Sequence, residues 1–221
     1  MRVPALAIGI EDLIRTRGPF AVGRGHVPVG MIALIAVLGG FGYGLAMGSF
    51  GARPLQMLYS GVKVPLLLGV STIICVPSFY VLNSVMGLRD DFSAALRGIL
   101  AAQAVLAVCL LAMAPWPVLV YVSTEDYVLA TNFNGIPFLL GALAGQSVLA
   151  RHYRPLIARD ARHRVPRNLW LLLYVFVSIQ FAWVLRPFIG NPAQETEFLR
   201  EDAWSNAFVA IGGDLLRLFG G

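Results

Sequence analysis

The chain has 221 residues, of which 57% are hydrophobic and 13% are charged, and its formal net charge at pH 7 is +5. Soluble domains carry about 25% charged residues, so this composition excludes an ordinary soluble globule. The apolar residues stand in long blocks, and about 20 such residues suffice to cross the hydrocarbon core of a bilayer. We therefore predict an all-α, polytopic integral membrane protein with five transmembrane helices.

Residues 1–27 are predicted to form a cytoplasmic segment that contains an interfacial amphipathic helix. In the stretch "PALAIGIEDLIRTR", Leu6, Ile10, Leu13 and Ile14 share one helical face, and charged residues occupy the other. The stretch is too short to span a bilayer and fits a helix in the headgroup plane. No small-residue cleavage site follows it, so we expect no cleaved signal peptide.

Five apolar blocks make up a predicted transmembrane domain. The predicted spans cover residues 28–48, 64–86, 93–115, 132–150 and 168–188, within a domain of residues 28–188. The fourth block is the weakest, because Asn134, Gly135 and Pro137 interrupt it.

Glycines at four-residue intervals are the main packing signal in these spans. The first span places Gly40, Gly44 and Gly48 on one face, and the fourth carries Gly141 and Gly145. Small residues let helix backbones approach closely in lipid. We expect these faces to pack within this chain, with contacts to another subunit as the alternative.

The second span, "KVPLLLGVSTIICVPSFYVLN", contains Pro65 near its start and Pro77 near its middle. A proline inside a helix frees the carbonyl four residues earlier, here that of Ile73. One interpretation is a broken helix around a substrate, as in transporters. The other is a kinked strut, in which the hydroxyls of Ser71 and Thr72 satisfy the freed carbonyl. We favour the kinked strut, because no span carries an Asp or Glu near its middle that could bind an ion.

Neutral polar residues are the other feature at depth. Gln103, Gln146 and Gln180 lie within the third, fourth and fifth spans. We expect them to form interhelical hydrogen bonds, which contribute about 0.6 kcal/mol each in lipid. The alternative is a lining for a neutral or lipidic ligand, with Tyr80, Asn83 and Tyr174. Lys63 lies at a predicted span end, where its long stem would carry the charge to the interface.

The distribution of basic residues predicts the orientation. Twelve Lys and Arg residues fall in the N-terminal segment and the second and fourth loops, and five on the other side. This bias places the N-terminus in the cytoplasm and the C-terminus outside, in the periplasm of a bacterial inner membrane. Six arginines lie between Arg151 and Arg167. We expect this loop to contact anionic lipids and expect no nucleic-acid partner.

Residues 189–221 are predicted to form an external segment with a second interfacial helix. In "WSNAFVAIGGDLLRLF", Trp204, Phe208, Ile211 and Leu215 follow one helical face. Together with Arg186, at the outer end of the fifth span, these residues are candidates for contact with a partner or a membrane surface.

No catalytic, metal or cofactor motif is recognisable. Cys75 and Cys109 are isolated within spans, and none of the three histidines lies at depth. The sequence contains no HExxH, P-loop or GxSxG pattern. We therefore predict no catalytic residue, no bound metal and no cofactor. An enzyme would have to use the external acids with Arg186 and Arg200.

The five-span plan, the orientation and the glycine run "GGFGYGLAMG" resemble Yip1-type membrane proteins. The stretches "KVPLLLGVSTIICVPSFYVLN" and "WVLRPFIGNP" are similar to an uncharacterised bacterial polytopic membrane family. The Yip1 resemblance implies a membrane-organising or partner-binding role without catalysis.

These observations favour a non-catalytic accessory or scaffold subunit of a larger membrane protein complex. The alternative is a small-molecule or lipid transporter with a kinked second span. That alternative predicts a water-accessible cavity beside the three glutamines.

Overall fold

A computed structural model describes residues 5–21 and 29–200, together with residues 206 and 209. Within residues 5–200 the described chain forms eight α-helices and no β-strand. The helices are α1 (Ala5–Arg15), α2 (Val29–Met47), α3 (Pro54–Val85), α4 (Phe92–Ala112), α5 (Pro115–Ser123), α6 (Tyr127–Phe133), α7 (Gly135–Arg159) and α8 (Arg164–Val184). Short 3-10 turns occupy Gly18–Phe20, Phe50–Ala52, Arg89–Asp91 and Ala161–His163.

Five stretches of the described chain are long and apolar enough to cross a membrane. They are Val29–Met47, Pro54–Val85, Arg89–Ser123, Tyr127–Arg159 and Ala161–Val184. The prediction of an all-helical protein with five such helices is therefore confirmed. By length and composition, these helices are those of an integral membrane protein.

Two helices extend well beyond the predicted spans. α3 begins at Pro54, ten residues before the predicted start, with proline in its first turn where a missing N–H costs nothing. α7 continues to Arg159, so much of the predicted fourth loop is helical. Arg, Leu and Ala are good helix formers, and basic residues are favourable near a helix C-terminus. The arginines lower the hydropathy of this stretch without ending the helix.

The third and fourth apolar stretches are each divided. Two residues separate the end of α4 from the start of α5 at Pro115, and Asn134 alone separates α6 from α7. Asp126 caps the N-terminus of α6, where its carboxylate accepts from the backbone N–H groups of Val128 (2.8 Å) and Leu129 (3.1 Å). These short helices turn the chain at the end of the bundle.

The long helices pack in the spatial order α7, α4, α2, α3, α8, so that α4 and α2 are central and α8 is peripheral. Residues 86–92 and 160–164 lie at one end, which we call the arginine-rich end. Residues 48–54, 113–134 and 185–200 lie at the other, which we call the opposite end.

The glycine face of α2 packs directly on α3. A Cβ at Gly40 would meet the backbone of Pro65 at 3.3 Å, and a Cβ at Gly44 would lie 2.7 Å from the Cα of Gly61. A Cβ at Gly48 would lie 2.8 Å from the Gln56 carbonyl oxygen. Only glycine permits this approach, so the contacts of this face lie within the chain.

The glycine face of α7 packs on α4 in the same way. A Cβ at Gly145 would lie 2.8 Å from the carbonyl oxygen of Ala102, and a Cβ at Gly141 would lie 3.3 Å from that of Leu106. The α4–α7 pair therefore also depends on close backbone approach.

α1 is attached to the arginine-rich half of the bundle. Leu13 is fully buried in a cluster with Ile32 and Val105. The Arg151 guanidinium donates to the Ile14 carbonyl oxygen at 3.0 Å, which ties α1 to α7. Leu13 of the predicted apolar face thus packs on protein, whereas Ile14 is 41% exposed. The predicted position of α1 in the headgroup plane stays a prediction.

Candidate functional site

Lys63, the only lysine in the chain, is fully buried. The early start of α3 places it in the third turn of that helix, and the expectation that its charge reaches the interface stays a prediction. Its Nζ donates to the Pro187 carbonyl oxygen at 2.6 Å and lies 4.9 Å from the centroid of the Phe198 ring. No carboxylate within the described ranges lies at ion-pair distance from it. Such a buried cation is costly and indicates a specific role.

Residues 185–200, which we call the strap, fold back over the first turns of α3. Gln56, also fully buried, donates from Nε2 to the carbonyl oxygens of Pro187 (3.2 Å) and Phe188 (3.0 Å). Ser60 donates its hydroxyl to the same Phe188 carbonyl. Buried carbonyl groups need such partners. The strap therefore has a defined path although it contains no helix or strand.

Further contacts hold the middle and the ends of the strap. The Arg53 guanidinium donates to the Asn191 carbonyl oxygen at 2.9 Å, and the Tyr127 hydroxyl donates to that of Ile189 at 3.2 Å. The backbone N–H of Arg200 donates to the Arg186 carbonyl oxygen at 3.3 Å, which closes the strap into a loop. The strap is thus fixed at both ends and in its middle.

An open cleft of about 520 Å³ lies on the strap. Its lining residues are Pro187, Gly190, Asn191, Gln194, Glu195, Glu197 and Arg200. Glu195 and Glu197 are exposed, and neither forms an ion pair with a residue that the structure describes. The strap therefore presents a shaped polar surface at the opposite end.

Asn134, which sequence reasoning treated only as an interruption, is a buried hydrogen-bond hub. Its Oδ1 accepts from the Tyr43 hydroxyl at 3.0 Å, and its Nδ2 donates to the Tyr121 oxygen at 2.6 Å and to the Ala130 carbonyl at 2.8 Å. The network joins α2, α5, α6 and the start of α7. The polar interruption between the apolar blocks, which contains Asn132 and Asn134, was the only sequence signal for it.

The three predicted glutamines occupy different surroundings. Gln103 Oε1 accepts from the Tyr174 hydroxyl at 3.0 Å, which links α4 to α8. Gln103 also lines an apolar groove of about 240 Å³ between α2, α3 and α4, which Gln146 and Gln180 do not line. Gln146 on α7 and Gln180 on α8 are both half-buried. The groove does not bring the three side chains together.

Pro77 lies on the exposed face of α3, and the helix continues through both Pro65 and Pro77. The Thr72 hydroxyl donates to the Leu68 carbonyl at 2.7 Å. The Ser71 hydroxyl is buried without a described partner. The expectation that these two hydroxyls cap the carbonyl of Ile73 is therefore wrong.

Two aspartates organise the arginine-rich end. Asp91 pairs with Arg159 and with the buried His163, whose Nε2 lies 3.1 Å from Oδ2. Asp160 pairs with Arg162 at 2.6 Å. Hydrogen bonds from the Arg162 side chain and backbone N–H lower the pKa of Asp160. The surface predicted to contact anionic lipids thus also contains two carboxylates, Asp91 and Asp160, which pair with some of its basic side chains.

The remaining candidates are only partly described. The Arg186 guanidinium carbon lies 3.2 Å from the centroid of the Trp183 ring, and Nε donates to the Trp183 carbonyl at 3.1 Å. Trp204, Phe208, Ile211 and Leu215 lie outside the described residues. In the part of the chain that the structure describes, no three His, Cys, Asp or Glu side chains are grouped to hold a metal ion.

Comparison of the chain with protein-family models, functionally curated proteins and solved structures finds no match.

Proposed function

We propose that this protein is a non-catalytic accessory or scaffold subunit of a larger membrane protein complex, and that it presents the strap to a partner. The observation that carries the proposal is the anchoring of the strap by Lys63, Gln56 and Ser60, all three fully buried. Burying a cation is costly. Because a buried cation holds the strap in place, we infer that the function depends on the shape of the strap.

The use of polar groups inside the bundle supports a structural role over transport. Asn134 bonds to Tyr43 and Tyr121, and Gln103 bonds to Tyr174. These side chains connect helices, whereas a substrate path in a transporter leaves polar groups and broken helix ends facing a cavity. Pro77 is on the outside of a continuous helix, where it lines no interior path.

The setting of this subunit follows from the charge bias of the sequence. We place the N-terminus and the arginine-rich end in the cytoplasm and the strap outside, in the periplasm of a bacterial inner membrane. The resemblance to Yip1-type proteins supports the same partner-binding role. The strap would then meet the external domain or loop of another membrane subunit.

The test is native extraction in a mild detergent, followed by size analysis and mass spectrometry of co-purifying proteins. We expect a foreign subunit in stoichiometric amount, and its loss in the double variant Glu195→Lys/Glu197→Lys. Glu125→Lys, which reverses one acid where the double variant reverses two, is the control, because Glu125 is an exposed acid at the same end but outside the strap. A lone chain of about 23.9 kDa or a simple homo-oligomer would overturn the proposal, and uptake assays would then test the transporter alternative.

A further inference from the structure

An apolar groove of about 590 Å³ runs between α3 and α8. Its walls include Ser78, Leu82, Leu169, Trp170, Leu173 and Phe176. We call it the α3–α8 groove. Leu172, on the same wall, is 67% exposed and Phe176 is 55% exposed, whereas Trp170 is buried at the floor. The groove is therefore open along its length and closed beneath.

The length of the groove along α8 fits within one leaflet of a bilayer. Leu169 and Phe176 are seven residues apart, which is about 10 Å along a helix at about 1.5 Å per residue. Half of a bilayer hydrocarbon core is about 15 Å. A transmembrane helix of a partner would contact α8 across both leaflets, whereas an acyl chain from the leaflet at the arginine-rich end matches this length.

Two arginines, Arg162 and Arg164, lie at the arginine-rich end of the bundle, beyond the apolar lining of the groove. Arg162, in the turn before α8, donates from Nη1 to the Met86 carbonyl oxygen at 3.2 Å, one helical turn beyond Leu82. Its pairing with Asp160 holds the guanidinium in this place. Arg164 begins α8, is exposed, and forms no ion pair with a described residue.

We propose that the α3–α8 groove binds an anionic phospholipid. One acyl chain lies along Leu82, Trp170 and Phe176, and the phosphate is at Arg162 and Arg164. The apolar walls select a hydrocarbon chain, and the arginines select a headgroup with net negative charge over a zwitterionic one. This site does not depend on the accessory role, because it lies at the other end of the bundle from the strap.

Fluorescence quenching of Trp170 tests the site directly. A full-length variant with Trp116, Trp183 and Trp204 changed to Phe keeps Trp170 as its only tryptophan. It is reconstituted into phosphatidylcholine bilayers containing a small fixed fraction of lipid with brominated acyl chains, either phosphatidylglycerol or phosphatidylcholine. One arginine near the surface enriches anionic lipid about fivefold. We therefore expect brominated phosphatidylglycerol to occupy the groove at least about fivefold more than brominated phosphatidylcholine.

The double variant Arg162→Gln/Arg164→Gln should remove this preference. Arg17→Gln/Arg154→Gln is the matched control, because it removes the same charge from two exposed arginines in the same half of the bundle, and it should keep most of the preference. Equal loss in both variants would show a general surface effect and overturn the site. Equal quenching by the two lipids would also overturn it. If neither lipid quenches Trp170, the groove holds another occupant, and the proposal is likewise overturned. Native mass spectrometry of the unaltered protein with the same two lipids gives an independent measure of the preference.

Discussion

Gly44 is the position at which the packing of α2 on α3 is most sensitive to a single atom. In Gly44→Ala the added methyl carbon would contact the Ser60 carbonyl oxygen and lie 2.7 Å from the Gly61 Cα. Both neighbours are backbone atoms of α3, so no side-chain rotation relieves the overlap. The matched control is Gly69→Ala on α3, because a Cβ at Gly69 meets no atom within 4 Å.

The expected cost follows from these distances. Ordinary contacts of a Cβ lie at 3.4–4 Å, so the contact with Gly61 alone requires α2 and α3 to separate locally by about 0.7 Å or more. A gap of 0.5–1 Å loses about a quarter to a half of the dispersion energy of each contact, and overpacking of this kind costs about 1–3 kcal/mol. Alanine regains about 1 kcal/mol of helix propensity relative to glycine. Gly69→Ala obtains this gain without the overlap, so Gly44→Ala should be less stable than Gly69→Ala by about 1–3 kcal/mol.

The difference can be measured by reversible unfolding in mixed micelles with an increasing fraction of sodium dodecyl sulfate, followed by far-ultraviolet circular dichroism. Both variants carry one added methyl group, so effects of composition cancel. Equal unfolding midpoints for Gly44→Ala and Gly69→Ala would refute the backbone contact between α2 and α3.

Three other predictions concern polar contacts. Asn134→Ala leaves the buried Tyr43 hydroxyl without its acceptor and should lower the free energy of unfolding by about 1–3 kcal/mol; the exposed Asn168→Ala should change it by less than about 0.5 kcal/mol in the same titration. Lys63, as the only lysine, should resist amine-reactive reagents in the native protein, as read by peptide mass spectrometry. Gln56→Leu should loosen the strap and speed the labelling of Lys63 on the order of tenfold. Rapid labelling of the unaltered protein would contradict the burial of Lys63. Since the pKa of Asp160 is lowered in the folded state, its carboxylate stabilises the fold above the ordinary value of about 4 and ceases to do so as pH falls through the lowered value. The difference in melting temperature between Asp160→Asn and the unaltered protein should therefore shrink in acid, and a difference independent of pH would exclude this linkage.

The sequence by itself determined the class of protein and the number of long helices. Apolar blocks of bilayer length are a local property of the chain, because each residue contributes to hydropathy whatever it contacts. For this reason the predicted span 28–48 agrees closely with α2, Val29–Met47. Agreement was poorer where polar residues continue a helix, as in α3 and α7, since hydropathy and helix formation are then different properties.

Only the tertiary structure decided which surfaces meet. The glycine pattern of α2 indicated close packing, but its partner, α3, depends on how two helices are placed side by side. Lys63 became a buried anchor because α3 starts early and the strap, more than 120 residues later, folds over it. Tyr43 and Asn134 are 91 positions apart. Such contacts depend on the relative rotation and depth of separate helices, and no periodicity within a single segment encodes these.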